Sequence, residues 1–118
     1  MRFLTLYTPS SNNAGPPSAE HMAEMQAYME RSFASGELIA AGGILKRETG
    51  GFRGTLKNGE FALEGNPAGD SVLLGASGYA ILQAKDQKDL ARMIEEFLRL
   101  AGEGQSEIIQ LMDMPPQP

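Results

Sequence analysis

The chemistry available to this chain centres on its single histidine, His21. Histidine titrates near neutral pH and often serves as a general base. Tyr28 follows seven residues later and Ser32 four residues after that, so all three share one face of a helix. This polar line predicts the rim of a cavity. The alternative is a surface histidine in the first helical turn, where the helix dipole disfavours the imidazolium and Glu20 and Glu24 favour it.

Two further tyrosines, Tyr7 and Tyr79, occupy predicted strands, and we expect them to line a cavity as ligand-binding groups together with Tyr28. The alternative is that they are amphipathic core residues. The chain has no cysteine, which excludes disulfides, thiolate zinc sites and a cysteine nucleophile. A Gly-x-Ser-x-Gly elbow for a serine nucleophile is also missing from the sequence. We therefore predict no metal ligands and no cofactor, although carboxylates suited to Mg²⁺ or Ca²⁺ are present.

Length and charge exclude several function classes. The 118 residues fit one domain. A net charge of −5 disfavours nucleic-acid binding, which needs a basic surface. No stretch approaches the roughly 20 apolar residues of a membrane helix, and the N-terminal MRFLTLYT lacks the apolar core of a signal peptide. We expect a cytoplasmic protein without nucleic-acid or membrane partners.

Two amphipathic segments predict helices. The first spans 18–35, with Ser18 as N-cap and Gly36 as a stop that tolerates positive φ. Its predicted apolar stripe is Met22, Met25, Met29 and Phe33. The second helix begins after Asp86 and ends near Ala101. Its predicted stripe is Leu90, Ile94, Phe97, Leu98 and Ala101.

Alternating segments and turn residues predict the strands. They are 2–8, 37–45, 78–84 and 106–114, with a hairpin over 52–63. The hairpin turns at Asn58-Gly59, a pair typical of two-residue hairpin loops, and Gly42-Gly43 indicates a bulge or a close backbone approach. The order β-α-β-hairpin-β-α-β predicts a ferredoxin-like α+β domain over 1–113, followed by a flexible Pro-rich tail over 114–118.

The predicted strands are apolar on both faces. In the first strand, Leu4 and Leu6 point one way while Phe3 and Tyr7 point the other. Two helices cover only one face of a sheet, and each large apolar side chain left in water forgoes roughly 1.5–3 kcal/mol. We predict a homodimer packed sheet against sheet around a cavity. The alternative is a monomer with an exposed ligand-binding patch.

The pattern of the whole chain resembles a known family. MRFLTLYT, a loop, a capped helix and SGELIAAGGI are similar to the start of YCII-related proteins of the longer DGPF branch. EGNP at 64–67 stands at the family's Asp-Gly-Pro-Phe loop, where only the glycine is identical, and SGY at 77–79 stands at its Gly-Gly-Tyr strand. The resemblance covers about 1–113 and implies a dimeric ferredoxin-like α+β barrel.

The resemblance also implies site residues. The shorter YCII branch carries a histidine near the start of its first helix, and SAEHM at 18–22 resembles that motif at His21. Glu64 and Asp70 flank the loop at the position of the family's acidic motif, where a carboxylate could orient His21 as a base. The alternative for this loop is ordinary turn chemistry.

Three functions follow as expectations. The first is a dimeric protein that binds a small, largely apolar or aromatic molecule in its cavity. The second is a cofactor-independent isomerase, lyase or hydrolase with His21 as base, Glu64 or Asp70 orienting it, and Tyr7 or Tyr79 binding an oxyanion. The third is a dimeric interaction module in a regulatory pathway, since several family members are encoded beside extracytoplasmic sigma factors.

Overall fold

The computed structural model describes residues 1–10, 18–45, 51–65 and 75–112. The predicted tail over 114–118 lies outside them. None of the helices in these ranges is long and apolar enough to cross a lipid bilayer.

The described elements follow one another in the predicted order. They are β1 Arg2–Pro9, α1 Ala19–Ser35, β2 Leu38–Gly43, β3 Phe52–Lys57, β4 Glu60–Gly65, β5 Gly78–Gln83, α2 Gln87–Ala101 and β6 Gly104–Gln110. Ser18 and Asp86 are the N-caps, and Gly36 ends α1 with a φ of 82°, all as predicted. The result is an α+β domain with two helices and an antiparallel sheet.

The main sheet has four antiparallel strands in the order β2-β5-β1-β6. Phe3 pairs with Leu82, and Leu4 pairs with Ile81. Phe3 and Leu82 pack with side chains of both helices, so α1 and α2 cover that face. We call the opposite face the open face. Most of its side chains are apolar and come from Leu4, Leu6, Ala40, Tyr79, Ile81 and Ile109, with Gly42 among them. The same register places Glu107 opposite Leu6 and pairs Arg2 with Gln83 on this face.

The hydrophobic core lies between the helices and the sheet. Its buried members are Phe3, Leu38, Leu82, Ala84, Leu90 and Met93. Met93, with 3% of its surface exposed, is among the most buried of them, yet the predicted stripe of α2 omits it. The rotation of α2 points Met93 and Leu90 at the sheet together and leaves the predicted Ile94, Phe97 and Leu98 half-buried.

The predicted apolar stripe of α1 is wrong at both ends. Met22 and Phe33 are exposed, whereas Ser32 is the buried residue of the helix. The inward face instead follows His21, Met25, Tyr28, Met29 and Ser32, of which the first four are half-buried. The physical reason is the rotation of α1: packing Met29 against the core turns Ser32 inward and leaves Met22 and Phe33 in solvent.

The start of α2 carries a reciprocal cap. The Asp86 carboxylate accepts a hydrogen bond from the Asp89 backbone N–H at 2.7 Å, and the Asp89 carboxylate accepts one from the Lys85 N–H at 3.1 Å. Arg92 also donates to Asp89 at 2.9 Å. The Lys85 N–H first, and then Arg92, hold the pKa of Asp89 below its usual value. The folded state therefore favours the ionised form of Asp89.

This cap predicts a pH dependence of stability. A lowered pKa in the folded state means that Asp89 stabilises the protein above its unfolded pKa, which is about 3.9. That contribution is lost as pH falls through the folded value. We expect Asp89→Asn to reduce the free energy of unfolding at pH 7 and to flatten its decline in acid, measured by urea denaturation from pH 7 down to about pH 2. Glu24→Gln, on an exposed site of α1, is the control, and equal acid slopes for both variants contradict the prediction.

Candidate functional site

His21 lies in the first turn of α1, where its backbone N–H donates to the Ser18 hydroxyl at 3.0 Å. The side of the helix that carries His21 also carries Tyr28 and Ser32, and burial increases from the half-buried His21 and Tyr28 to the buried Ser32. The three residues therefore face the helix side of the sheet. The structure does not bring them to the open face, where the predicted cavity would lie.

Tyr28 lies between the two helices. Its ring centroid is 6.4 Å from that of Phe97, and the Arg31 guanidinium carbon lies 5.5 Å from the Tyr28 centroid. Burial, followed by the charge of Glu96, raises the pKa of the Tyr28 hydroxyl. Tyr28 is thus a packing residue whose ring joins α1 to Phe97 of α2.

Tyr7 and Tyr79 lie on opposite faces of the main sheet, because the register pairs Tyr79 with Leu6. The Tyr7 ring packs edge-on against Phe97 with centroids 5.3 Å apart. Its hydroxyl donates to the Gly102 carbonyl at 3.2 Å, beside a cleft of about 420 Å³. The expectation that both tyrosines line one inter-sheet cavity is therefore corrected for Tyr7, which joins the sheet to α2.

The predicted carboxylates are not brought to His21. Glu64 is an exposed residue of β4, directly opposite Arg53 in the hairpin. Among the described residues, no hydrogen bond or ion pair joins Glu64 to His21. Asp70 lies outside the described residues. The catalytic arrangement of histidine and carboxylate stays a prediction.

A charged cleft that the sequence-based predictions missed lies between α1 and α2. Its volume is about 270 Å³, and it is lined by Arg31, Ser32, Ser35, Glu37, Arg92 and Glu96. Arg92 donates to Glu37 at 2.8 Å, and Arg31 pairs with Glu96. Each guanidinium is matched by a carboxylate, so the cleft is electrically balanced. The spacing of Arg92 from Asp89 and Glu96 was the available signal.

The open face offers a different kind of site around Tyr79. A Cβ atom added to Gly42 would lie 2.8 Å from Cε1 of Tyr79, so the Tyr79 ring lies directly on the backbone of β2. This confirms the predicted close approach at Gly42, whereas the register irregularity of β2 falls between Leu38 and Ala40. Tyr79 is 37% exposed and places one phenol beside aliphatic neighbours.

The open face varies in exposure and in the contact groups that it offers. Exposure along it ranges from 5% at Leu6 to 48% at Ile109. The face offers aliphatic side chains, one aromatic ring and the Tyr79 hydroxyl, which are contact groups typical of sites for apolar or aromatic molecules. Within the described ranges, no group of three or more histidine, aspartate or glutamate side chains is placed to hold a metal ion.

No protein-family model matches the chain, and no curated protein is significantly similar to it. Its functional site is therefore described by geometry alone, and Tyr79 with the open face around it is the best-supported candidate.

Proposed function

We propose that the protein is a homodimer, joined through the open faces of its two sheets, that binds a small apolar or aromatic molecule in the cavity between them. The observation that carries this proposal is the exposed Tyr79 ring held on Gly42 in a largely apolar sheet face that neither helix covers. YCII-related proteins of the DGPF branch, with their dimeric α+β barrels, are the proposed relatives.

The strand order supports a ferredoxin-like fold. The sheet order β2-β5-β1-β6, with α1 after β1 and α2 after β5, is compatible with the split βαβ arrangement and its hairpin insertion. In that arrangement both helices lie on one face, which leaves the other face free for a second sheet. Face-to-face sheets pack about 10 Å apart.

The composition of the open face supports the dimer. Ile109 and Tyr79 are exposed, while Leu4, Ala40 and Ile81 are half-buried. A wet, largely apolar sheet face is typical of a protein or ligand interface, and on this face the charged Glu107 stands opposite Leu6. A second copy brings an identical apolar face, and a two-fold axis closes the pair.

Ligand binding follows from the same packing. The Tyr79 ring covers Gly42, while the small Ala40 on the same strand lowers the floor of the sheet beside the ring. We expect two such faces to leave space between them. The catalytic alternative stays a separate prediction, because the described contacts bring no second catalytic group to His21. The regulatory interaction module also stays a separate prediction.

The test combines mass and probe binding. Light scattering on the eluting protein at micromolar concentration is expected to give about twice the chain mass of 12.7 kDa. An anilinonaphthalene sulfonate dye, which fluoresces in apolar cavities, is expected to bind saturably. Gly42→Ala pushes the Tyr79 ring from its place, and we expect dye affinity to fall about tenfold, a loss of roughly 1.4 kcal/mol.

Gly43→Ala is the matched control, since its added Cβ would lie 3.9 Å from the Ser77 carbonyl oxygen, an ordinary contact. We expect this variant to bind the dye like the unmodified protein. A monomer at micromolar concentration, or equal dye affinity in both glycine variants, contradicts the proposed function.

A further inference from the structure

The hairpin formed by β3 and β4 is a two-stranded sheet separate from the main sheet. All residues of both strands are exposed. Its tip is the predicted Asn58-Gly59 turn, with φ values of 54° and 79°. An isolated two-stranded hairpin is at best marginally stable in water, so we expect a surface that covers this hairpin to stabilise it.

The two faces of this hairpin differ completely in polarity. Leu56 pairs with Phe61, and the next pair, Thr55 with Ala62, points to the opposite side. The side of Leu56 carries apolar side chains and glycine only, and we call it the hairpin apolar face. It consists of Phe52, Gly54, Leu56, Phe61, Leu63 and Gly65.

The other side of the hairpin is polar and balanced in charge. Arg53 stands opposite Glu64, and Lys57 stands opposite Glu60. Opposite charges on facing strands stabilise a hairpin in water. This polar side is therefore suited to remain in solvent while the hairpin apolar face is covered.

The rings of the hairpin apolar face lie on glycines of the facing strand. A Cβ on Gly54 would lie 3.3 Å from the Phe61 ring, and one on Gly65 would lie 3.5 Å from the Phe52 ring. Glycine opposite an aromatic residue lets the ring lie across the backbone. The result is a continuous apolar surface, not a row of separate side chains.

The exposed area on this face is large. Its four large side chains are between 64% and 73% exposed. If each whole side chain is taken as roughly 200 Å², the exposed parts of the four side chains add up to on the order of 500 Å². A patch of this size lies in the upper part of the range for the largest apolar patch on a monomer, and such patches are often functional.

We infer that the hairpin apolar face packs on a second copy of this chain, so that each subunit holds the other with an arm. The inference rests on the proposed dimer. Two arms, each covering about 500 Å² and an equal area of the partner, bury about 2,000 Å² in total, within the range of stable interfaces. The arm lies in sequence between β2 and β5, which carry Gly42 and Tyr79.

The test replaces one cross-strand pair on each side of the hairpin. The double variant Leu56→Gln with Phe61→Gln alters the hairpin apolar face, and Thr55→Gln with Ala62→Gln alters the adjacent pair on the polar face. Dimer dissociation constants come from sedimentation equilibrium. We expect the first variant to weaken the dimer about 100-fold or more, as for loss of buried aromatic anchors, and the second to stay within about threefold.

Hydrogen exchange gives a second measurement that needs no variant. Backbone amides of β3 and β4 are expected to exchange slowly in concentrated protein and to lose protection on dilution below the dissociation constant. The inference of an arm is contradicted if both double variants have equal dissociation constants, or if the amides of β3 and β4 exchange quickly in the dimer. The hairpin apolar face would then bind a different partner.

The outcomes separate the arm from the proposed sheet-to-sheet contact. One outcome is a dimer that survives the double variant Leu56→Gln with Phe61→Gln but dissociates when a charged residue replaces an apolar one on the open face. That result supports the proposed function and overturns the arm. A dimer that loses its stability only through the hairpin variant supports the arm and contradicts sheet-to-sheet packing. A chain that is monomeric at all concentrations overturns both.

Discussion

Replacing Ile81 with lysine is expected to convert the proposed dimer into a folded monomer. Ile81 lies on β5, inside the sheet, with its side chain on the open face between Leu4 and Ala40. In a two-fold interface the substitution places two ammonium groups in one apolar contact. An unpaired charge buried in this way costs several kcal/mol. We expect the dissociation constant to rise by about 1,000-fold or more, equivalent to roughly 4 kcal/mol.

Sedimentation velocity measures this change, and circular dichroism checks that the monomer stays folded. In the monomer the lysine stem lies along the sheet while its ammonium reaches water. Ala91→Lys adds the same charge on the exposed side of α2 and is expected to leave the dimer intact. A dimer that persists with Ile81→Lys shows that the sheets do not meet, and the cavity between them is then lost as a proposal.

Truncating Met93 is expected to produce the largest loss of stability among the methionines of the helices. Met93 is 3% exposed and packs in the core with Phe3 and Leu82. Met93→Ala removes these contacts and leaves a cavity, so we expect the free energy of unfolding to fall by about 2–5 kcal/mol. Urea denaturation measures it, with dimer dissociation taken into account through protein concentration.

Met22→Ala is the matched control, because both methionines are helical and gain the same helix propensity on substitution by alanine. Met22 is 59% exposed, and its loss is expected to change the free energy of unfolding by at most about 0.5 kcal/mol. The sequence pattern places Met22 in the apolar stripe of α1 and omits Met93 from that of α2. Equal losses for the two variants therefore contradict the observed rotation of the helices.

Element boundaries in this protein follow from short-range chemistry. Ser18 accepts the His21 N–H, Asp86 accepts the Asp89 N–H, and Gly36 adopts positive φ. These contacts join residues within about one helical turn, so the residue types alone predict them. The Asn58-Gly59 turn is local in the same way.

Helix orientation needed more than the sequence pattern. The methionines of α1 mark an apolar stripe, but the polar Ser32 is the buried residue of that helix. Hydrophobic spacing predicts which residues share a side, and close packing decides which side meets the sheet. The same reason explains why Met93 lies in the core although the predicted stripe omits it.

The sequence by itself determined the α+β class, the element order, the caps and the two-sided apolar strands, because these depend on neighbours along the chain. The tertiary structure alone decided that Tyr7 packs under α2 while Tyr79 lies on Gly42 at the open face. That assignment depends on strand register, and a shift of one residue exchanges the two faces. It also revealed that the hairpin apolar face has no cover within the described chain, a property set by distant packing.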